Sequence, residues 1–177
     1  MKLVKKSIFR SWCVSPFIAL RLFLEYTSDL LILRMCQKMR FDRIIIYADS
    51  RSDSEKLFHV TKEALILMER IDKKRYERVM DNLKIIAYVK KGRDYYSEAV
   101  GAYFIHEVEE RSVHLAAKIV HEATHAYLIN KGVRYNRVQQ YHHEKIATQE
   151  HIRFMKRCIR NDDTIDEAEK LKSTGQY

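Results

Sequence analysis

The chain has 177 residues, 46% of them hydrophobic and 32% charged, which supplies a sizeable core and excludes an intrinsically disordered protein. A formal net charge of +9 at pH 7 favours acidic partners in general, but the basic residues are spread along the chain. With no arginine-rich tail and no recognisable nucleic-acid motif, no specific nucleic-acid partner is expected.

One proline and four glycines leave room for long helices with few tight turns. Three cysteines, Cys13, Cys36 and Cys158, lie far apart and form no CxxC pair. That usage fits a reducing, cytoplasmic compartment, with Cys158 as a core residue. The N-terminus opens on basic MKLVKKSIFR and apolar SWCVSPFIAL. Arg21, Glu25 and Asp29 then interrupt, no A-x-A cleavage site follows, and no run reaches the roughly 18 apolar residues of a membrane span. Residues 16–39 read as a pair of amphipathic helical segments packed on the body. Membrane association through that segment is the alternative.

FDRIIIY (41–47) is short, β-branched and apolar, and reads as a strand. Ser52 or Asp53 is placed to cap a helix through EKLFHVTKEALILMERI, where Leu57, Val60, Ala64, Leu67, Met68 and Ile71 recur at helical spacing. DKKRYERVMDN continues as a second helical piece. LKIIAYV (83–89) and VGAYFIH (100–106) are the next two strands. Helices follow over 112–130 and 136–160, and a polar C-terminal tail over 161–177. The expectation is a single α+β domain, with about three strands packed on long helices. Its parts are an N-terminal helical segment (1–40), strands and helix (41–106), a helix pair (112–160) and the tail.

The first helix of that pair carries VHEATHAYLINKG. Ser112 reads as its N-cap and Gly132 as the left-handed residue beyond its C-terminus. At about 100° per residue, His125 falls roughly 40° from His121, and Glu122 roughly 100° from it. Leu115, Ile119, Ala123 and Ala126 fall on another face, toward the core. Two imidazoles one turn apart can converge on a single zinc ion. The intervening glutamate is aimed to one side, where it can reach a water on that ion but not ligate it. His121-Glu122-Ala123-Thr124-His125 is thus an H-E-x-x-H motif. The competing reading is a histidine-rich helix face without metal.

A catalytic zinc usually has a third protein ligand. The metzincin continuation fails, because Leu128 and Lys131 stand where glycine and histidine are required. The next helix is the natural source. His125 lies about 7–8 Å before the first helix ends, and Glu144 about 12 Å into an antiparallel second helix starting near Asn136. Those depths match, so Glu144 is the expected ligand, with His143 its main rival and Glu150 too deep. On the face of Glu144 follow Thr148, placed to hydrogen-bond a ligand, then His151 and Met155. Tyr135, Tyr141 and His151 are candidates to stabilise an oxyanion. Arg153, Lys156, Arg157 and Arg160 read as a solvated cluster complementing the helix C-terminal dipole.

VHEATHAYLINKGVRY followed by HHEKIATQEHIRFMKR resembles the gluzincin class of zinc metallopeptidases. It is similar to short bacterial members whose HEATHA helix precedes a helix with a ligand glutamate. The resemblance covers about residues 115–157. It implies a zincin-like fold, zinc held by His121, His125 and Glu144, and Glu122 as general base toward a peptide or protein substrate. It also implies a substrate-lining edge strand before the motif helix, a place taken by VGAYFIH. The two histidines immediately before Glu144 depart from the pattern. The expected activity is zinc-dependent peptide hydrolysis; the alternative is a zinc-binding interaction or regulatory module without catalysis.

Overall fold

The computed structural model describes residues 16–49, 54–89, 94–98, 100–106, 111–133 and 137–173; for residues 16–23, 25, 137, 138 and 161–173 only the backbone is described. The expected caps Ser52 and Asp53, and also Cys13 and Tyr135, lie outside these residues. In chain order the elements are α1 (Pro16–Arg34), β1 (Cys36–Phe41), β2 (Ile44–Asp49), α2 (Ser54–Ile71), α3 (Lys73–Asn82), β3 (Ile85–Tyr88), β4 (Tyr95–Ser97), β5 (Ala102–Ile105), α4 (Ser112–Asn130) and α5 (Arg137–Ser173). The protein is therefore α+β among the described residues. None of these helices is long and apolar enough to cross a membrane.

The chain divides into two compact units, Met1–Phe58 with Met80–Val108 and His59–Val79 with Glu109–Tyr177. The first holds a five-stranded mixed sheet in the order β1-β2-β3-β5-β4. The parallel trio β2, β3 and β5 forms its middle, and β1 and β4 close the edges antiparallel. Five strands replace the expected three, and the strand expected over 41–47 is displaced to Ile44–Asp49. Residues 36–39, expected to be helical, belong to β1 instead. Phe41 pairs with Ile44 across a two-residue turn, and Asp42 at that turn adopts φ 49°. Asp-Arg lacks the Asn-Gly or Asp-Gly signature that announces such hairpins. β5 is an inner strand, so VGAYFIH is not the expected edge; the edges of the sheet are β1 and β4.

Alternation along β2, β3 and β5 explains the packing. Ala87, Ala102 and Phe104 on one face cluster with Leu33 of α1, and Tyr47 and Ile85 pack against them. The other face carries Ile44, Ile46, Ala48, Ile86, Tyr103 and Ile105, each at most 1% exposed. α1 docks through two residues four apart. Leu33 enters that cluster, and buried Asp29 accepts hydrogen bonds from Ser97 (2.6 Å) and Tyr95 (3.1 Å). Leu24, Leu31 and Met35 remain exposed.

The second unit contains α4, α5 and parts of α2 and α3. α5 runs to Ser173, well past the expected end at 160, so residues 161–173 are helix and not tail. No glycine or proline occurs between Gly132 and Gly175. Polarity alone does not end a helix.

Candidate metal centre

α4 forms where its sequence favours a helix, a run with four alanines and no glycine or proline. Its N-cap is Arg111, in extended conformation and without a side-chain capping bond, so Ser112 is the first helical residue and not the cap. Its end is sharply made. Gly132, at φ 84°, donates its N–H to Ile129 O (2.9 Å), and Val133 N–H reaches Leu128 O (3.0 Å). That is a Schellman closure, which needs a residue comfortable at positive φ. Leu115, Ala116, Ile119, Ala123 and Ala126 are buried, and the small residues permit close approach of α5, against which α4 packs.

On α5 the buried positions are His143, Ala147, Glu150, Phe154 and Cys158. Their spacing of four, three, four and four traces a single stripe. Residues 144, 148, 151 and 155 lie roughly 100° to one side, along the border of that stripe. This border position lets Glu144 face α4 while its side chain remains 44% exposed.

There the two helices bring together His121, His125 and Glu144, whose donor atoms lie within 4.8 Å of one another. His121 Nε2 and His125 Nε2 are 3.1 Å apart. The Glu144 carboxylate straddles the pair, with Oε2 3.4 Å from His121 Nε2 and Oε1 3.6 Å from His125 Nε2. Donors at 2.0–2.1 Å from a tetrahedral ion are separated by about 3.3–3.4 Å. The histidine separation is close to that figure; the two Glu144 contacts run to different oxygens, and with one atom from each residue the three donors lie within 4.8 Å of one another.

The protonation states agree with such a role. Burial pushes the His121 pKa below its ordinary value, against the opposing charge of Glu144. His125 is pushed down to about 4, by burial first and then by neighbouring His121. Both rings are therefore neutral near pH 7, with a lone pair available. The contacts to Glu144 are accordingly not ion pairs, and they are long for hydrogen bonds.

His143, the rival ligand, is fully buried on the adjoining stripe. Its ring lies parallel to that of His125 with centroids 6.2 Å apart, outside the three-donor group. Glu122 is half-buried beside His121, also outside it, as its angular offset requires. Thr148 is exposed one turn beyond Glu144. The His151 ring stands edge-on to His121, 6.3 Å between centroids. Tyr141 is 77% exposed.

Sequence reasoning missed a second polar cluster in the same unit. Buried Asp72 caps α3 by accepting the Arg75 N–H (3.2 Å), and its carboxylate also meets the Arg75 and Arg157 guanidiniums. Glu150 is held by Arg78 (2.9 Å), Arg75 (3.1 Å) and Arg153 (2.7 Å). Burial raises the Glu150 pKa, but hydrogen bonding to Arg153 and the charges of Arg75 and Arg78 outweigh it and hold the carboxyl below its usual range. Arg153 and Arg157 thus serve carboxylates in the middle of α5, which corrects their assignment to a helix C-terminus. The available signal was the position of Glu150 on the buried stripe.

No family model, no curated protein and no solved structure matches the chain. The functional reading rests on these residues themselves.

Proposed function

We propose that the protein is a zinc-dependent hydrolase, a metallopeptidase of gluzincin type acting on peptide or protein substrates. The observation that carries this reading is the convergence of His121 and His125, on an H-E-x-x-H helix, with Glu144, their ligand atoms lying within 4.8 Å of one another. Two neutral imidazoles and one carboxylate form a donor set suited to zinc, whereas calcium and magnesium favour all-oxygen sites.

His121 and His125 would hold the ion through Nε2 and Glu144 through a carboxylate oxygen. When bound there, zinc supplies a Lewis acid that lowers the pKa of a coordinated water to near 7 and polarises a carbonyl. Glu122, one residue past His121, takes a proton from the water as its oxygen adds to the scissile carbonyl carbon. It returns that proton to the nitrogen as the C–N bond breaks. His151 and Tyr141 are the described candidates for donating a hydrogen bond to the developing oxyanion.

The test is Glu122→Gln, which removes the base and none of the three donors. Turnover of a broad peptide library should fall by about 10²–10⁴-fold while zinc content stays at the wild-type level. Full activity in the variant would contradict the mechanism. A zinc-loaded wild type that cuts nothing would leave the non-catalytic binding module.

A further inference from the structure

α1 carries apolar side chains on opposite sides, and the fold accounts for only one of them. Leu33 and Asp29 hold the helix to the sheet. At about 100° per residue, Leu24 and Leu31 fall roughly 160–180° round from Leu33, and Met35, just past the helix end, continues their row. All three are more than half exposed, and Leu30 and Ile32 on the flanks are exposed as well. A helix that is apolar on both sides is ordinarily buried on both, and a contiguous exposed apolar row marks a surface that something covers.

Charge indicates what that is. Arg34, in the last turn of α1, and Lys38, on the edge strand β1, are exposed. Both line a cavity of about 530 Å³ on the flank of α1, together with Leu30, Leu33, Tyr47 and Ile85. Neither cation meets a carboxylate among the described residues. Of the acidic residues of α1, Asp29 is buried against Ser97 and Tyr95, and position 25 stands roughly 100° round from Leu24. Residues 1–24 contain five basic residues and no acidic one. Pairing with a second copy through α1 would set cations against cations, which disfavours it. An anionic lipid surface offers both complements at once, opposite charge and hydrocarbon. α1 is not long and apolar enough to cross a bilayer, which leaves the plane of the interface.

We propose that the solvent-facing row of α1 is a docking surface for an anionic lipid bilayer. Leu24, Leu31 and Met35 enter the boundary between headgroups and acyl chains, while Arg34 and Lys38 lie at the level of the lipid phosphates. The contact is peripheral and reversible. It does not depend on what the metal centre does.

The test is flotation of the intact chain with two kinds of vesicle, phosphatidylcholine alone and phosphatidylcholine with phosphatidylglycerol in equal parts. The anionic vesicles should bind the wild type at least about tenfold more tightly than the neutral ones, and raised salt should shrink the difference. Leu31→Gln combined with Met35→Gln should weaken anionic-vesicle binding by at least about tenfold, whereas Leu31→Phe should keep it. Arg34→Gln and Lys38→Gln should each cost about fivefold, and Lys73→Gln, at an exposed position of α3 outside this surface, less than about twofold. Helical circular dichroism checks each variant; should the double glutamine variant not fold, the single charge variants decide. Equal binding to both vesicles, binding to neither, or a loss from Lys73→Gln as large as that from Arg34→Gln would overturn the proposal. So would a wild type that is dimeric by light scattering and becomes monomeric with Leu31→Gln and Met35→Gln, because a second copy would then cover the row.

Discussion

α5 presents two glutamates six residues apart to two different kinds of partner. Glu150 is enclosed by guanidiniums at 2.7–3.1 Å, with its side chain only 10% exposed. Glu144 is 44% exposed and faces two imidazoles at 3.4 and 3.6 Å. The first is a closed ion-pair network whose contacts are already at hydrogen-bond length. The second has the spacing of groups arranged around a common centre. One side chain type thus serves as a structural tie in one place and, in the function proposed above, as a metal donor in the other.

The sharpest way to break this comparison is to cut the tie. Asp72→Ala takes the carboxylate from Arg157, leaves Arg75 with Glu150 alone and removes the cap of α3. It should cost about 3–5 kcal/mol in denaturant unfolding, as expected for one partner lost from a buried charged cluster, yet leave zinc content intact. Loss of zinc in a folded Asp72→Ala protein would show that the two clusters are not independent. Glu150→Gln is a milder cut, at about 2 kcal/mol near neutral pH. Its pH dependence carries a sign. The folded carboxyl lies below its unfolded value of about 4.3, so its contribution is present above that value and is lost as pH falls through the folded one. Wild type and Glu150→Gln should therefore converge in stability in acid; a constant gap from pH 7 into acid would contradict the ion-pair account. Smallest is His143→Phe, which keeps a flat ring against His125. It should lower zinc affinity by less than about tenfold, whereas removing a direct ligand costs more than the 10–100-fold typical of outer-shell partners.

The sequence made some of this legible and hid the rest for physical reasons. The motif helix was readable over its whole length because its signals are local: apolar periodicity, and a glycine where φ must be positive. Glu144 was within reach because the short connection to α5 makes axial depth countable. Depth and helical phase already favoured it over His143; that His143 lies fully buried on the adjoining stripe of α5 is what only packing reveals. β1 and β4 escaped notice because they are edge strands with exposed positions and no continuous apolar run. The end of α5 was misplaced by treating polarity as a stop signal. The arginine network escaped because Arg75 and Glu150 stand 75 positions apart in sequence, a separation that helical periodicity does not span.

The central claim is that the Glu144 triangle binds metal and the Glu150 cluster does not. Metal analysis of purified protein, reconstituted with zinc and desalted, tests it most directly in wild type, His125→Ala, Glu144→Ala and Glu150→Gln. Stoichiometric zinc in wild type and Glu150→Gln, with loss from the other two and helical circular dichroism retained, is the predicted result. Zinc that stays in Glu144→Ala, or never binds the wild type, would contradict the account.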